Sequence, residues 1–203
     1  MYEIYLGIKR KWSISRISRE IEVSATTVLR EIRRNSAADG YNPLEINLGN
    51  VVSKNVTVKN CKFAKFSNNA ISVFGMAEGG VLNIENNTFD LGKTSEAVRI
   101  SNKTNTKFTI NVKDCSYTYP TDAAGQVVGF FLFEDHTSKT AEEANAAMQF
   151  KNLKVNVDNV TFEGAKVTEL NLFTGARNQF ACMYYDKSGY VVDATHFPTF
   201  NFK

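Results

Sequence analysis

The sequence is poor in the residues that most often staple a chain or hold a metal. It has three cysteines and two histidines among 203 residues. Cys61, Cys115 and Cys182 are odd in number and far apart, and no Cys-x-x-Cys pair occurs. That excludes a disulfide framework and a cysteine zinc site. His136 and His196 are isolated and lack the spacing of a metal-binding pair. No stretch approaches the length of a membrane span, and no apolar run bounded by a cleavage site opens the chain. No Gly-rich phosphate loop or nucleophile elbow is present. The expectation is a protein with no cofactor, no metal and no membrane partner. It is made and kept in a reducing cytoplasm, or released with particles assembled there.

What is present is ordinary in bulk and uneven in placement. Hydrophobic residues make up 43% of the chain and charged residues 22%, enough to bury a core. The net charge is only +3, but it is concentrated. Residues 1–38 hold eight basic side chains, including Lys9, Lys11, Arg30, Arg33 and Arg34, against four glutamates. The remainder holds 16 basic and 17 acidic residues. A local contact with nucleic acid or another acidic surface follows from that asymmetry.

Within residues 1–38 three short helical patterns succeed one another. Ile4, Ile8 and Trp12 recur every four residues. Ile14, Ile17 and Ile21 recur at helical spacing, with Ser13 placed as N-cap. Ala25, Val28, Leu29 and Ile32 mark one face of the third, with Ser24 as N-cap. Helices this short must pack on one another. Only "EVS" separates the second from the third, which forces a tight turn and predicts a helix-turn-helix. In that motif the first turns of the last helix meet base edges. Thr26, Thr27 and Arg30 are then placed for bases, with Arg30 suited to a bidentate pair with guanine. Lys9, Lys11, Arg33 and Arg34 suit phosphates.

The stretch "SISRISREIEVSATTVLREIRRNS" also resembles the N-terminal helix-turn-helix of IS30-type transposases. The family pattern Ser-x-x-Thr-x-x-Arg-Glu-x-x-Arg-Asn falls on Ser24, Thr27, Arg30, Glu31, Arg34 and Asn35, and the resemblance spans about residues 2–37. Glu22 stands where that family usually has glycine, and Leu29 where it has serine. No acidic transposase catalytic domain follows. The resemblance therefore implies double-stranded DNA binding, and it does not imply transposition.

The remaining residues repeat. "VTVKNCKF" at 56–63, "LNIENNTF" at 82–89, "INVKDCSY" at 110–117 and "VNVDNVTF" at 155–162 share one template. It reads apolar-x-apolar-x-Asn/Asp-x-x-aromatic. A second set falls between them, at 43–50, 69–76, 96–103 and 128–135. The period is 26, then 28, then 45 residues, the last swollen by an insertion at 136–150 that reads as a short helix begun at Thr140. Alternating apolar residues predict strands with one buried face. A unit of that length cannot bury its own inner face, so copies must stack. The predicted fold is mainly β: a right-handed parallel β-helix solenoid over 39–203, preceded by a small all-α three-helix helix-turn-helix module over 1–38.

In that arrangement Asn60, Asn86, Asp114 and Asn159 make a ladder at a turn. Phe63, Phe89, Tyr117 and Phe162 make an inward aromatic stack. Cys61 and Cys115 share one position with Asn87 and Val160 and are packed thiols. After Glu163 the period breaks. "CMYYDKSGYVV" reads as a hairpin around Asp186–Gly189 and "FPTFNFK" as a last strand, so residues 163–203 form a C-terminal cap. Rungs such as "KNVTVKNCKF" and "NNAISVFG", followed by "MYYDKSGYVV", resemble the β-helix modules of tailed-phage virion proteins, the capsid-decorating and fibre proteins. That resemblance implies capsid or other virion proteins as partners and a place in the virion.

Many β-helices cleave polysaccharides, which needs a carboxylate cluster on adjacent rungs. Glu85, Asp114 and Asp158 are the candidates. Each is more simply explained by the repeat, Asp114 as a turn residue and the other two as solvated outer positions. Glu134, Asp135 and His136 form the one compact titratable cluster and read as a loop at a strand end. The expectation is a non-enzymatic protein. It binds double-stranded DNA through Ser24, Thr26, Thr27, Arg30, Arg33, Arg34, Lys9 and Lys11 and carries a β-helix scaffold. The alternative is a virion structural protein whose helical start is only a cap or docking piece, and a polysaccharide-binding or -cleaving β-helix comes third.

Overall fold

The structure, a computed structural model, describes residues 13–22, 24–25, 28, 36–37, 40–41, 46–48, 53–64, 68–74, 76–101, 107–125, 129–135, 150–172, 175–185, 189–191 and 197–203. The chain is mainly β. Its strands lie chiefly in three parallel-rich sheets, and one α-helix occurs among the described residues. Two compact units divide it, Met1–Asn47 and Leu48–Lys203.

In the first unit the helix spans Ile14–Glu20. Ser13 caps it from an extended conformation (φ −67, ψ 154), and its Oγ accepts the Arg16 amide proton at 3.2 Å. One of the orphan donors of the first turn is thereby satisfied. Arg19 lies in the last turn, where a cation complements the helix dipole. Ile17, at 1% exposure, is the apolar anchor. Further on, Ser36–Ala37 pairs antiparallel with Gly40–Tyr41.

In the second unit, sheet one is built from Ser53–Lys59, Met76–Glu85, Thr109–Lys113, Lys154–Asp158 and Thr199–Phe202. All its pairings are parallel and follow the sequence repeat: Val56 lies opposite Leu82, Leu82 opposite Ile110, and Ile110 opposite Val155. Leu82, Ile84, Ile110 and Val155 are fully buried and Val112 and Val157 nearly so. The residues between them point the other way, as a two-residue side-chain period requires.

A strand of sheet two follows each of the first four of these strands after a two-residue corner. It comprises Lys62–Ala64, Thr88–Asp90, Ser116–Thr118 and Thr161–Phe162 in parallel, closed by the antiparallel strand Ala165–Lys166. The corners are left-handed: Asn60, Asn86, Asp114 and Asn159 have φ of 58, 51, 52 and 50°. Asn and Asp tolerate that conformation better than other residues bearing a side chain. The corners are stitched across periods as well. Asn86 Nδ2 donates to Asn60 Oδ1 at 2.8 Å, and Asn159 Nδ2 to Asp114 Oδ1 at 2.7 Å.

Sheet three within the second unit comprises Asn69–Val73, Glu96–Ser101, Phe131–Asp135 and Ala181–Tyr185 in parallel, then Gly189–Val191 antiparallel to the fourth. It is buried on both faces. Ile71, Val73, Val98, Ile100, Phe131 and Phe133 line one face; Ser72, Leu132 and Cys182 are buried on the other. The register here differs by one residue from the alignment of the repeat strings. Val98 lies opposite Phe131, not Phe130. Gly129 is the cause: its φ is 107°, and a Cβ there would meet Ala181 Cα at 3.2 Å. The close approach turns Phe130 into the corner, where it packs edge-on to both Phe89 (5.3 Å) and Tyr117 (5.2 Å).

The aromatic positions of sheet two are graded. Phe63 and Phe89 stack at 5.1 Å and 5°. Tyr117 and Phe162 meet tilted at 5.0 Å, and Phe162 is half-exposed. Of the insertion at 136–150, expected to form a helix from Thr140, residues 136–149 lie outside the described residues; Phe150 is buried and opens a 3-10 turn, Phe150–Asn152.

Candidate functional site

At the N-terminal segment the local geometry is a capped helix, a left-handed residue and the start of a further helical turn. The helix ends with the Ile21 amide donating to Ile17 O at 3.2 Å and the Glu22 amide to Arg19 O at 3.4 Å. Glu22 has φ 54°, a conformation costing about 1–2 kcal/mol for a residue with a Cβ. Two residues later Ser24 O accepts the Val28 amide at 3.1 Å, an i to i+4 bond of helical type. Val28 is fully buried and Ser24 exposed. Arg16 and Arg19 are exposed on the helix, and Arg19 Nε reaches back to Ser15 O at 3.3 Å. Of the residues expected to touch DNA, Ser24 is described. Lys9, Lys11, Thr26, Thr27, Arg30, Arg33 and Arg34 lie outside the described residues.

The three carboxylates weighed as catalytic do not converge. Asp114 occupies a left-handed corner and accepts from Asn159. Glu85 pairs with Lys59 at 3.0 Å on the adjacent strand. Lys113 stands opposite both Glu85 and Asp158. Together they form a column of alternating charge, the arrangement of a solvated sheet face. Among the described residues, no group of three or more His, Cys, Asp and Glu side chains is gathered to hold a metal ion. No helix among them is long and apolar enough to cross a membrane.

Sheet three holds a polar cluster that sequence alternation does not reveal. Arg99 Nε lies 3.2 Å from Glu96 Oε1 and 3.1 Å from Glu134 Oε1. The carboxylate side chains are 2% and 0% exposed, and that of Arg99 20%. Glu134 is thus an interior strand residue rather than part of a loop. Beside the cluster, the Tyr119 hydroxyl sits 2.7 Å from Gly129 O and 2.9 Å from Ser95 O and accepts the Gly129 amide at 3.0 Å. Burial pushes the Tyr119 phenol and the Cys182 thiol well up, and the negative charge of Glu96 adds to both shifts. These groups hold their protons at neutral pH, which suits packing rather than nucleophilic chemistry.

A second set of contacts pins the loop after Glu163. Arg177 donates from Nε to Pro120 O at 2.8 Å and from Nη2 to Tyr119 O at 3.0 Å. It also pairs with Glu163 and lies over the Phe162 ring at 5.7 Å. Next to it is a shallow cleft of about 180 Å³ bounded by Phe162, Lys166, Thr168, Glu169 and Asn171.

Sequence reasoning also missed the outer ladder of sheet one. Asn111 donates to Asn83 and Asn156 to Asn111, both at 2.8 Å, and Asn201 donates to Asn156 at 3.0 Å. The signal was the middle Asn of "LNI", "INV", "VNV" and "FNF". No protein-family model, curated protein or solved structure matches the chain.

Proposed function

We propose that this chain is a non-enzymatic, two-part protein. Its first 38 residues bind double-stranded DNA as a helix-turn-helix. Its three sheets form a right-handed parallel β-helix solenoid that serves as a rigid structural and interaction scaffold. The observation that carries the DNA-binding reading is Glu22 at φ 54°. It stands between a Ser13-capped helix and a helical bond from Val28 to Ser24 O. A three-residue linker with a left-handed residue suits the tight turn of that motif, and the exposed Arg16 and Arg19 add positive charge beside it.

The solenoid reading draws on the shared registers, in which strands one sequence period apart pair in parallel in each sheet. The scaffold role draws on the placement of Glu85, Asp114 and Asp158 in ladders and corners; the two described carboxylates that do approach each other, Glu96 and Glu134, are buried on Arg99 within sheet three.

The test is duplex binding by the intact chain at several salt concentrations. Affinity should fall steeply with salt, because neutralised phosphates release counterions. Arg30→Ala should weaken a preferred sequence by about 1–3 kcal/mol and blur one base pair, whereas Arg34→Ala should weaken all sequences alike. Equal losses on every sequence would mean non-specific attraction. No binding at low salt would remove the DNA-binding reading. It would leave a virion structural protein, decorating a capsid or forming a fibre, a reading favoured by the hydrogen-bonded Asn ladders that stiffen the body.

A further inference from the structure

Sheet one ends differently from the other two. Sheets two and three close on antiparallel strands, Ala165–Lys166 and Gly189–Val191. The last strand of sheet one is Thr199–Phe202, parallel to Lys154–Asp158. The Thr199 amide donates to Leu153 O at 3.0 Å and the Lys203 amide to Val157 O at 2.9 Å. Successive residues of a strand turn their backbone groups to opposite sides. Thr199, Asn201 and Lys203 therefore face the neighbouring strand, and Phe200 and Phe202 direct N–H and C=O toward the far edge. No strand among the described residues pairs with that edge.

The side chains tell the same story. Phe200 and Phe202 are half-exposed, although their register partners Val155 and Val157 are 0% and 1% exposed. Asn201 is exposed and ends the amide ladder. The Oδ1 atoms of Asn83, Asn111 and Asn156 each take a proton from the next asparagine, and Asn201 Oδ1 is the terminal acceptor.

We propose that this edge is a two-fold dimer interface, on which a second copy of the chain adds the same strand antiparallel about an axis through Asn201. The occupant is a second copy because Phe200-Asn201-Phe202 reads the same in both directions. An axis at Asn201 sets Phe200 opposite Phe202 of the second copy, and the converse. Those are the two residues whose backbone groups point outward, and opposed residues of an antiparallel hydrogen-bonded pair exchange both bonds. Asn201 meets its own counterpart in the closer, non-hydrogen-bonded pair, where each amide still offers an N–H and Oδ1. The same register puts every phenylalanine on one face and both asparagines on the other; a slip of one residue sets Phe against Asn. Pairing also covers an edge that no strand among the described residues covers. This interface stands apart from the DNA-binding reading and does not depend on it.

Sedimentation of the intact chain across a concentration series tests it, with Asn201→Lys, Asn201→Asp and an equimolar mixture of the two. Like charges directly opposite are unfavourable and opposite charges favourable. The wild type should move from monomer to dimer mass, each variant alone should lose that shift, and the mixture should recover it. Recovery also shows that the variants are folded. A wild type that stays monomeric, dimers indifferent to either charge, or species growing past the dimer by head-to-tail stacking onto Ser53–Lys59 would each overturn the proposal.

Discussion

Arg99 Nε lies 3.1 Å from Glu134 Oε1 on the neighbouring strand of sheet three, and the Glu134 side chain is sealed from solvent. Arg99 stands opposite Leu132, so Glu134 is its diagonal same-face neighbour two residues on. Glu96, 3.2 Å away, is a second carboxylate on the same guanidinium. Arg99→Met should therefore leave two buried carboxylates without their cation, at a cost of about 3–5 kcal/mol. Urea denaturation reads the loss. Adding Glu134→Gln to Arg99→Met should recover part of it, because one of the stranded charges is then gone. A neutral single variant would mean that Arg99 contributes nothing net to the cluster.

Asn87 is the one amide at the position that Cys61, Cys115 and Val160 occupy in the other periods. It is 1% exposed. Its Nδ2 donates to Val58 O and its Oδ1 accepts the Cys61 amide, both at 2.8 Å. Asn87→Val should fit the space, as Val160 does, but leave the part-buried Cys61 N–H without its acceptor and take a second donor from Val58 O. An orphaned donor of this kind costs about 1–3 kcal/mol. The expected signature is a lower denaturation midpoint together with faster hydrogen exchange at Cys61. Unchanged exchange there would show that the side chain does not hold that amide.

The parallel stacking was legible because two constraints coincide in one string. Apolar alternation fixes which face is buried, and an Asn or Asp that tolerates φ near 50° fixes where the strand turns, so Val56, Leu82, Ile110 and Val155 fall into one column. The Ser13 cap was legible for the same reason, as a local signal before a helical period. The register of Phe131 was not, because it depends on how closely the Gly129 backbone meets Ala181, a contact 52 residues away in sequence. The Glu96–Arg99 pair was hidden too. Residues three apart in a strand fall on opposite faces by alternation, yet these two meet at the start of their strand. At the N-terminal segment the left-handed turn residue is Glu22, whereas Thr26, Thr27 and Arg30, expected to face bases, and Arg33 and Arg34, expected to face phosphates, lie outside the described residues.

Alkaline pH should destabilise the second unit. Burial raises Cys115, Cys182, Tyr117 and Tyr119 above their ordinary values. The folded state thus holds protons that the unfolded state releases. Their contribution to stability is fully present below the ordinary thiol and phenol range, about pH 8.5–10. It is lost as pH rises beyond that range toward the folded values. Melting temperatures should be flat near neutrality and fall above about pH 9. At neutral pH an alkylating reagent should modify the half-buried Cys61 first and spare Cys115 and Cys182 until unfolding. Native labelling of Cys182 at the rate of Cys61 would contradict its burial.

Phe89 is the point where two packing directions cross. It stacks on Phe63 one period earlier at 5.1 Å and takes the edge of Phe130 from sheet three at 5.3 Å. It is fully buried, whereas Phe162 at the far end of the same column is half-exposed. Removing the ring should open a cavity that rigid strands on either side cannot close. Phe89→Ala should cost about 3–5 kcal/mol, the range for large-to-small changes in a packed core. Phe162→Ala should cost clearly less, since part of its surface is already in water and the Arg177 guanidinium over its ring can settle onto the neighbouring carbonyls. Equilibrium denaturation of both variants reads the difference. Equal losses would mean that the column is packed to the same depth along its length, and a near-neutral Phe89→Ala would place the ring outside the core.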